Sequence, residues 1–269
     1  MKNEHSGYLA EIFSSYQGEG GSVEGSCSGK RQIFLRFAGC NLALKELGTS
    51  GCIWCDTPEA RMPRRREFRV EVTPGERDFG LHKNPASVGE VLVIIDMLKT
   101  RDLHSISFTG GEPLYQGEFV IQLAKELKKA GYGLYLETNG SIHDTPSDIT
   151  SLFDYACVDI KDESSRAAKD WKLLVENEFK MIKLLKDGDV KVFGKVVVTG
   201  ETRSENIEWY AKELRDMGVA LAIQVATPYG PVKATPQRKI FELTEAAAKY
   251  LGPDMITFSF QSHKMMGVL

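Results

Sequence analysis

The chain lacks a dominant charge. Its 34 lysines and arginines stand against 37 acidic residues, a formal net charge of −3 over 269 residues. No global field therefore draws it to nucleic acid or to an anionic membrane, although a local basic pocket stays possible. It also lacks an apolar run of 18 or more residues, which argues against a membrane-spanning helix. The opening residues Met1 to Ser6 carry no apolar signal-peptide core, so the expected location is the cytoplasm. Cysteine is scarce: Cys27, Cys40, Cys52, Cys55 and Cys157. An odd number without a signal peptide argues against a disulfide framework. Histidine is absent between residues 6 and 81, which starves that stretch of the commonest zinc ligand. What is present is ordinary for a globular protein, with 42% hydrophobic and 26% charged residues. The length suits one α/β barrel-type domain over residues 1–269 with a large core.

From about residue 87 the pattern alternates helix and strand. Helical apolar spacing predicts helices over 87–99, 118–130, 171–186, 205–217 and 239–251. Ser87 with Glu90 three residues on reads as a capping box for the first of these. Short β-rich runs predict strands over 33–37, 105–108, 134–137, 155–160, 191–199, 220–226 and 255–260. Strands alternating with helices imply a parallel sheet wound by right-handed crossovers. The loops at the C-terminal ends of such strands gather on one rim, where ligands bind. Residues 58–86 break the rhythm as a polar insertion, with a hairpin expected around Pro74-Gly75. Its arginines Arg61, Arg64, Arg65, Arg66 and Arg69 read as a solvated face or as a docking site for an acidic reductase.

The chemistry-bearing segment is Cys40, eleven residues, then Cys52-Ile53-Trp54-Cys55. Three thiolates on a cubane cluster leave one of its four irons without a protein ligand. That iron can chelate the amino and carboxylate groups of S-adenosylmethionine, and an electron from the cluster can then cleave the sulfonium C–S bond. Zinc remains an alternative if His82 or Cys27 supplied a fourth ligand. A thioredoxin-like redox pair would not require Cys40. Cys27 and Cys157 read as ordinary semi-buried cysteines. Thr109-Gly110-Gly111-Glu112-Pro113 follows a strand, and its glycines would permit close backbone approach to a ligand; an ordinary strand-to-helix turn is the bland alternative.

Several segments together resemble the 7-carboxy-7-deazaguanine synthase family of the radical S-adenosylmethionine superfamily. They are Phe13-Ser14-Ser15-Tyr16-Gln17-Gly18-Glu19-Gly20, Phe34 to Leu42, Cys55-Asp56-Thr57 and the tail His263-Lys264. The resemblance implies an α/β fold, a partial (β/α)6 barrel of the radical SAM type with an extended cluster loop. It implies ring contraction of 6-carboxy-5,6,7,8-tetrahydropterin to 7-carboxy-7-deazaguanine with loss of ammonia, on the route to queuosine or archaeosine. A [4Fe–4S] cluster, S-adenosylmethionine and Mg2+ would be the cofactors. A flavodoxin or ferredoxin would donate the electron, and the chain would form a homodimer with no nucleic acid or membrane partner.

Carried over by position, Cys40, Cys52 and Cys55 would hold the cluster and Thr57 the Mg2+. Tyr16, Gln17, Gly18, Arg36, Thr109 and the terminal carboxylate of Leu269 would contact the pterin, with Gln17, Arg36 and Thr109 nearest the reacting centre. Arg36 would grip the substrate carboxylate as a fork. Trp54, Asp56, Gly111, Glu112, Thr138, Asn139, Asp159, Ile160, Lys161, Gln224, Val225, Ala226 and Thr227 would form the cofactor site. Two departures stand out: eleven residues separate the first two cysteines where three are common, and Asp159-Ile160-Lys161 replaces a Ser-Pro-Lys stretch. A glycyl-radical activase would not be expected to carry Gln17–Gly20, Asp56-Thr57 and the His263-Lys264 tail together. An electron-carrier module would want a fourth cysteine near Cys55, and none is present.

Overall fold

The computed structural model describes residues 5–44, 51–144, 148–228 and 230–259. Strands β1 (Ser6–Gly7), β2 (Leu9–Tyr16) and β3 (Arg31–Phe37) open the chain. Next come β4 (Glu67–Glu71), β5 (Phe79–Lys83), β6 (Ala86–Ser87) and helix α1 (Val88–Leu98). The alternating part continues as β7 (Leu103–Gly110), α2 (Gly117–Lys129), β8 (Leu134–Thr138), α3 (Asp148–Leu152), β9 (Tyr155–Ile160) and α4 (Trp171–Asp187). It ends as β10 (Lys191–Val198), α5 (Ser204–Met217), β11 (Ala220–Val225), α6 (Gln237–Ala248) and β12 (Ile256–Ser259).

One ten-stranded sheet runs in the order β12-β11-β10-β9-β8-β7-β3-β2-β4-β5. From β3 to β12 every neighbouring pair is parallel. β3, β7, β8, β9, β10 and β11 are each followed by one α-helix before the next parallel strand of this series, so the expected partial barrel is present, with β12 as an extra strand at its end. β2 lies antiparallel to β3 and was not anticipated as a strand. β4 joins β2 in parallel and β5 closes that edge antiparallel, with Pro74-Gly75 in the connecting turn. Among the described residues no helix is long and apolar enough to cross a membrane.

Local chemistry explains the element ends. At α1, Ser87 Oγ accepts from the Glu90 amide at 3.3 Å and the Glu90 carboxylate accepts from the Ser87 amide at 2.7 Å, the predicted reciprocal cap. Asp170 caps α4 by accepting from the Leu173 amide. Along α4, Leu174, Val175, Phe179, Ile182 and Leu185 form the buried stripe that a 3.6-residue period produces.

The two faces of the sheet differ. One face carries Ile106, Phe108, Leu134, Leu136, Ala156, Val158, Val196 and Ile223 into the main core beneath the helices. The alternate residues point into the barrel. At the N-terminal ends these are Tyr135, Cys157, Phe193, Ala220 and Ala222, packed on Val23 and Cys27 from the β2–β3 loop. Two residues further along the same strands the same face bears Glu137, Asp159, Lys195 and Gln224, because side chains repeat every second residue. The interior thus passes from an apolar plug to a polar rim at the strands' C-terminal ends.

Candidate active site

The sheet register places the site. Arg36 pairs with Thr109 across β3 and β7, and Asp159 pairs with Lys195 across β9 and β10. In a parallel ladder such partners share a face. The rim they form opens into two adjoining lobes that share Thr57, Thr109, Glu137, Asp159 and Lys195.

The first lobe is lined in part by Cys40, Cys52 and Cys55. All three cysteines are free and half-buried. Cys40 follows β3 directly. Cys52 and Cys55 sit in a loop tied down from both sides. Arg61 donates to the Cys52 carbonyl at 2.7 Å, and the Ile53 amide donates to the Ser165 carbonyl at 3.1 Å. Burial pushes the Cys40 thiol up to about 11, reinforced by the Glu112 charge, and burial also pushes Cys52 up. Both are therefore neutral thiols until a metal displaces their protons.

Cys27 is plugged beneath the barrel, where burial raises it to about 12, and His82 is exposed on β5. Among the described residues no three His, Cys, Asp or Glu side chains converge tightly enough for a single metal ion. A mononuclear zinc site, considered from the sequence, has no fourth ligand here. Three thiols lining one cavity suit a polynuclear iron–sulfur cluster, which takes its protein ligands on different irons.

The loop Gly110-Gly111-Glu112 binds the cysteine loop to the next strand. A Cβ on Gly111 would lie 2.1 Å from the Gly39 carbonyl oxygen, and one on Gly110 would lie 2.6 Å from the Phe37 nitrogen. These glycines therefore let the turn approach the backbone flanking Cys40, and both also line the first lobe. The Gly111 amide donates to the Phe37 carbonyl at 3.0 Å, and the Glu112 amide to that of Gly39 at 2.8 Å. The Glu112 carboxylate is fully buried and accepts from Leu114 N (3.0 Å), Thr138 Oγ1 (2.8 Å) and Asn139 N (2.7 Å). Burial raises this carboxyl to about 7 while the three donors pull it down. Asn139 Nδ2 in turn holds Asn41 Oδ1 at 2.9 Å, beside Cys40.

The second lobe is lined by Tyr16, Gln17, Gly18 and Arg36 together with Phe13, Phe34 and Glu11. The Arg36 guanidinium lies 5.2 Å from the Phe13 ring centre and its Nε meets Glu11 at 3.3 Å. Glu11 also pairs with Arg69. Gln17 is spent internally. Its amide oxygen accepts from Gly18 N and Glu19 N at 2.9 and 3.0 Å, and its nitrogen donates to Gln32 and Glu137 at 3.2 and 2.7 Å. It positions the loop and Glu137. Thr109 Oγ1 donates to the other Glu137 oxygen at 2.6 Å.

Beneath the junction of the lobes lies an alternating ion-pair chain, Glu19–Lys195–Asp159–Lys161, with Lys195 to Asp159 at 2.8 Å. Burial and the Glu137 and Asp159 charges push Glu19 up despite Lys195, whereas Lys161 and Lys195 overcome burial to hold Asp159 down. Lys161 is fixed from behind: its amide donates to Glu178 at 2.9 Å. One residue on, buried Asp162 accepts from Ser164, Thr202, Asn206 and Tyr210.

Of the residues expected to form the cofactor site, Trp54, Asp56, Gly111, Thr138, Asn139, Asp159, Lys161, Gln224, Ala226 and Thr227 line the first lobe. Three expected side chains do not. Ile160 and Val225 stand at alternate strand positions and pack on the helix-covered core, while Glu112 is consumed by its internal bonds. Thr57 lies at the border of the lobes, and its side chain makes no capping hydrogen bond to the short helix it precedes. Leu269, His263 and Lys264 lie outside the described residues. No role was assigned from sequence to Glu137, Lys195 or Glu19, although Glu19 lies in the segment that carries the family resemblance. The first two carried a signal, a lone charge inside an apolar strand (Leu-Tyr-Leu-Glu-Thr and Phe-Gly-Lys-Val-Val).

Comparison with known proteins gives the family and the fold. Residues 36–211 match the model of the Radical SAM superfamily. The chain is 44% identical over 262 residues to the 7-carboxy-7-deazaguanine synthase of Thermococcus kodakarensis, covering 97% of this chain and 98% of that one. It is 38% identical over 265 residues to the protein of the same name from Methanocaldococcus jannaschii, covering 97% of this chain and 100% of that one. Among solved structures, a radical SAM methyltransferase from Sphaerobacter thermophilus superposes with a TM-score of 0.57 at 13% identity, over 87% of this chain and 71% of the other; this likeness shows the fold alone. The chain belongs to the 7-carboxy-7-deazaguanine synthase family of the radical SAM superfamily.

Proposed function

We propose that this protein converts 6-carboxy-5,6,7,8-tetrahydropterin to 7-carboxy-7-deazaguanine with loss of ammonia, as a carbon–nitrogen lyase of the cytoplasm. The observation that carries the reading is the two-lobed cavity, with three free thiols on one lobe and Arg36, Tyr16, Gln17 and Gly18 on the other, meeting at Thr109. The superfamily implies a [4Fe–4S] cluster and S-adenosylmethionine, which together supply a 5′-deoxyadenosyl radical when bound. Cys40, Cys52 and Cys55 are the cluster ligands in this reading. The polar rim of Thr138, Asn139, Asp159, Lys161, Gln224 and Thr227 holds the zwitterionic and ribose groups of S-adenosylmethionine.

Arg36, propped by Glu11 and stacked on Phe13, presents its remaining nitrogens to the substrate carboxylate. Thr109, on the border of the lobes, faces the reacting edge of the pterin. Mg2+ would take oxygen from Thr57 and complete its shell with substrate and water, in keeping with an ion that retains several waters. The apolar cluster of Tyr135, Cys157 and Phe193, one strand step below the Asp159–Lys195 pair, would shield the site from water on that side. A homodimer and a protein electron donor belong to the same reading.

Anaerobic reconstitution with iron and sulfide, followed by incubation with the pterin, S-adenosylmethionine, Mg2+ and dithionite, tests it. The deazaguanine acid should be detected by mass spectrometry. An intact, reducible cluster that yields no such product sinks the assignment.

A further inference from the structure

The arginine-rich run beyond Thr57 is the sequence feature that catalysis does not use. Residues 58–67 hold Arg61, Arg64, Arg65 and Arg66 against Glu59 and Glu67, a local excess of positive charge in a chain of net charge −3. Arg61 turns inward to the Cys52 carbonyl, and Arg65 donates to the Glu59 carbonyl at 3.1 Å. Arg64 and Arg66 are exposed. Beside them Met62 is 64% exposed and Tyr115 40%.

This surface lies directly over the cluster ligands. A Cβ on Gly39, the residue before Cys40, would sit 3.0 Å from the Tyr115 ring and 3.1 Å from Pro63. The Gly39 amide donates to the Ala60 carbonyl at 2.7 Å. The patch thus adjoins the backbone before Cys40 directly and reaches Cys52 through the Arg61 side chain. An apolar centre with a charged rim is the anatomy of a protein interface, and a positive patch on an acidic molecule orients an acidic partner to one face.

We propose that Arg64 and Arg66, with Met62 and Tyr115, form the docking surface for a small acidic one-electron carrier protein. The carrier loses one electron and the cluster gains it, with no atom transferred. The inference rests on the proposed cluster assignment and adds the place where the electron enters. Nucleic acid is the rival occupant of an arginine patch, but the overall acidic charge disfavours it.

The test compares the reconstituted holoenzyme with its R64E/R66E and R64K/R66K variants, using a purified acidic flavodoxin as probe. Affinity is measured anaerobically at low and high salt. Cluster bleaching is followed with the flavodoxin hydroquinone and separately with dithionite. The charge reversal should weaken flavodoxin binding and slow flavodoxin-driven bleaching by about tenfold or more at low salt, with the gap narrowing at high salt. Dithionite-driven bleaching should be unchanged, and the lysine pair should behave as wild type. Unchanged flavodoxin affinity in R64E/R66E overturns the proposal, as does an equal loss of dithionite-driven bleaching. Loss of affinity for a short RNA but not for flavodoxin also overturns it. A wild-type cluster that dithionite itself cannot reduce would instead contradict the parent assignment.

Discussion

At the residue scale, the side chains of the second lobe divide into those that are spent and those with capacity left. Gln17 uses its whole amide within the protein, whereas the Arg36 guanidinium is fixed through Nε by Glu11 and by the Phe13 ring. Replacing Arg36 with lysine keeps the charge but removes the planar fork. Steady-state kinetics of R36K should show KM for the pterin raised about tenfold or more, a loss of about 1.4 kcal/mol in binding. An unchanged KM would return Arg36 to a purely structural ion pair.

Glu112 belongs to the spent class. Its carboxylate gathers three donors, so E112Q should cost about 1–3 kcal/mol in urea unfolding, because an amide nitrogen would face a donor. Its folded proton affinity is raised to about 7 by burial. The folded state therefore holds this proton more tightly than the unfolded chain does. The associated stability is fully present below the ordinary glutamate range and is lost as pH rises through about 7. The stability difference between wild type and E112Q should shrink over that window; a difference that grows with pH would contradict the assignment.

At the element scale, the decisive contact is between the end of β7 and the end of β3. The glycine pair lets the β7 turn press against the backbone that carries Cys40. G111A should force these loops apart, costing roughly 1–3 kcal/mol as overpacking does, and should lower the iron retained per chain after reconstitution. Stability and iron content equal to wild type would show that the contact is not needed.

The same scale shows what was legible in the sequence. The helix–strand alternation after residue 87 was readable because one face of each strand and one stripe of each helix are apolar, as in α4. β2 was not, because Glu11, Ser14 and Ser15 are buried along with its apolar residues, so no hydrophobic alternation survives. Cavity-lining strands hide this way: inward polar residues serve the site and erase the pattern that marks a strand. Glu137 and Lys195 fell inside predicted strands, but only the sheet register shows that they stand on the inward face. The cysteines and the Thr109 turn were legible from residue types and spacing, whereas Arg36 was reached only through the family resemblance.

At the scale of the whole molecule, the barrel separates two tasks along its axis. The apolar plug of Tyr135, Cys157, Phe193 and Val23 seals one end, and the polar rim at the other gathers both lobes. The proposed reaction would hand a hydrogen atom from substrate to cofactor and would need such adjacency, with the two reacting groups held together away from solvent. Isotope transfer tests this most directly. The reconstituted protein, given the pterin deuterated at C6, should move deuterium into 5′-deoxyadenosine or the S-adenosylmethionine pool while forming 7-carboxy-7-deazaguanine. Product formed with all deuterium left in the pterin-derived carbon skeleton, or 5′-deoxyadenosine formed without label, would contradict the account.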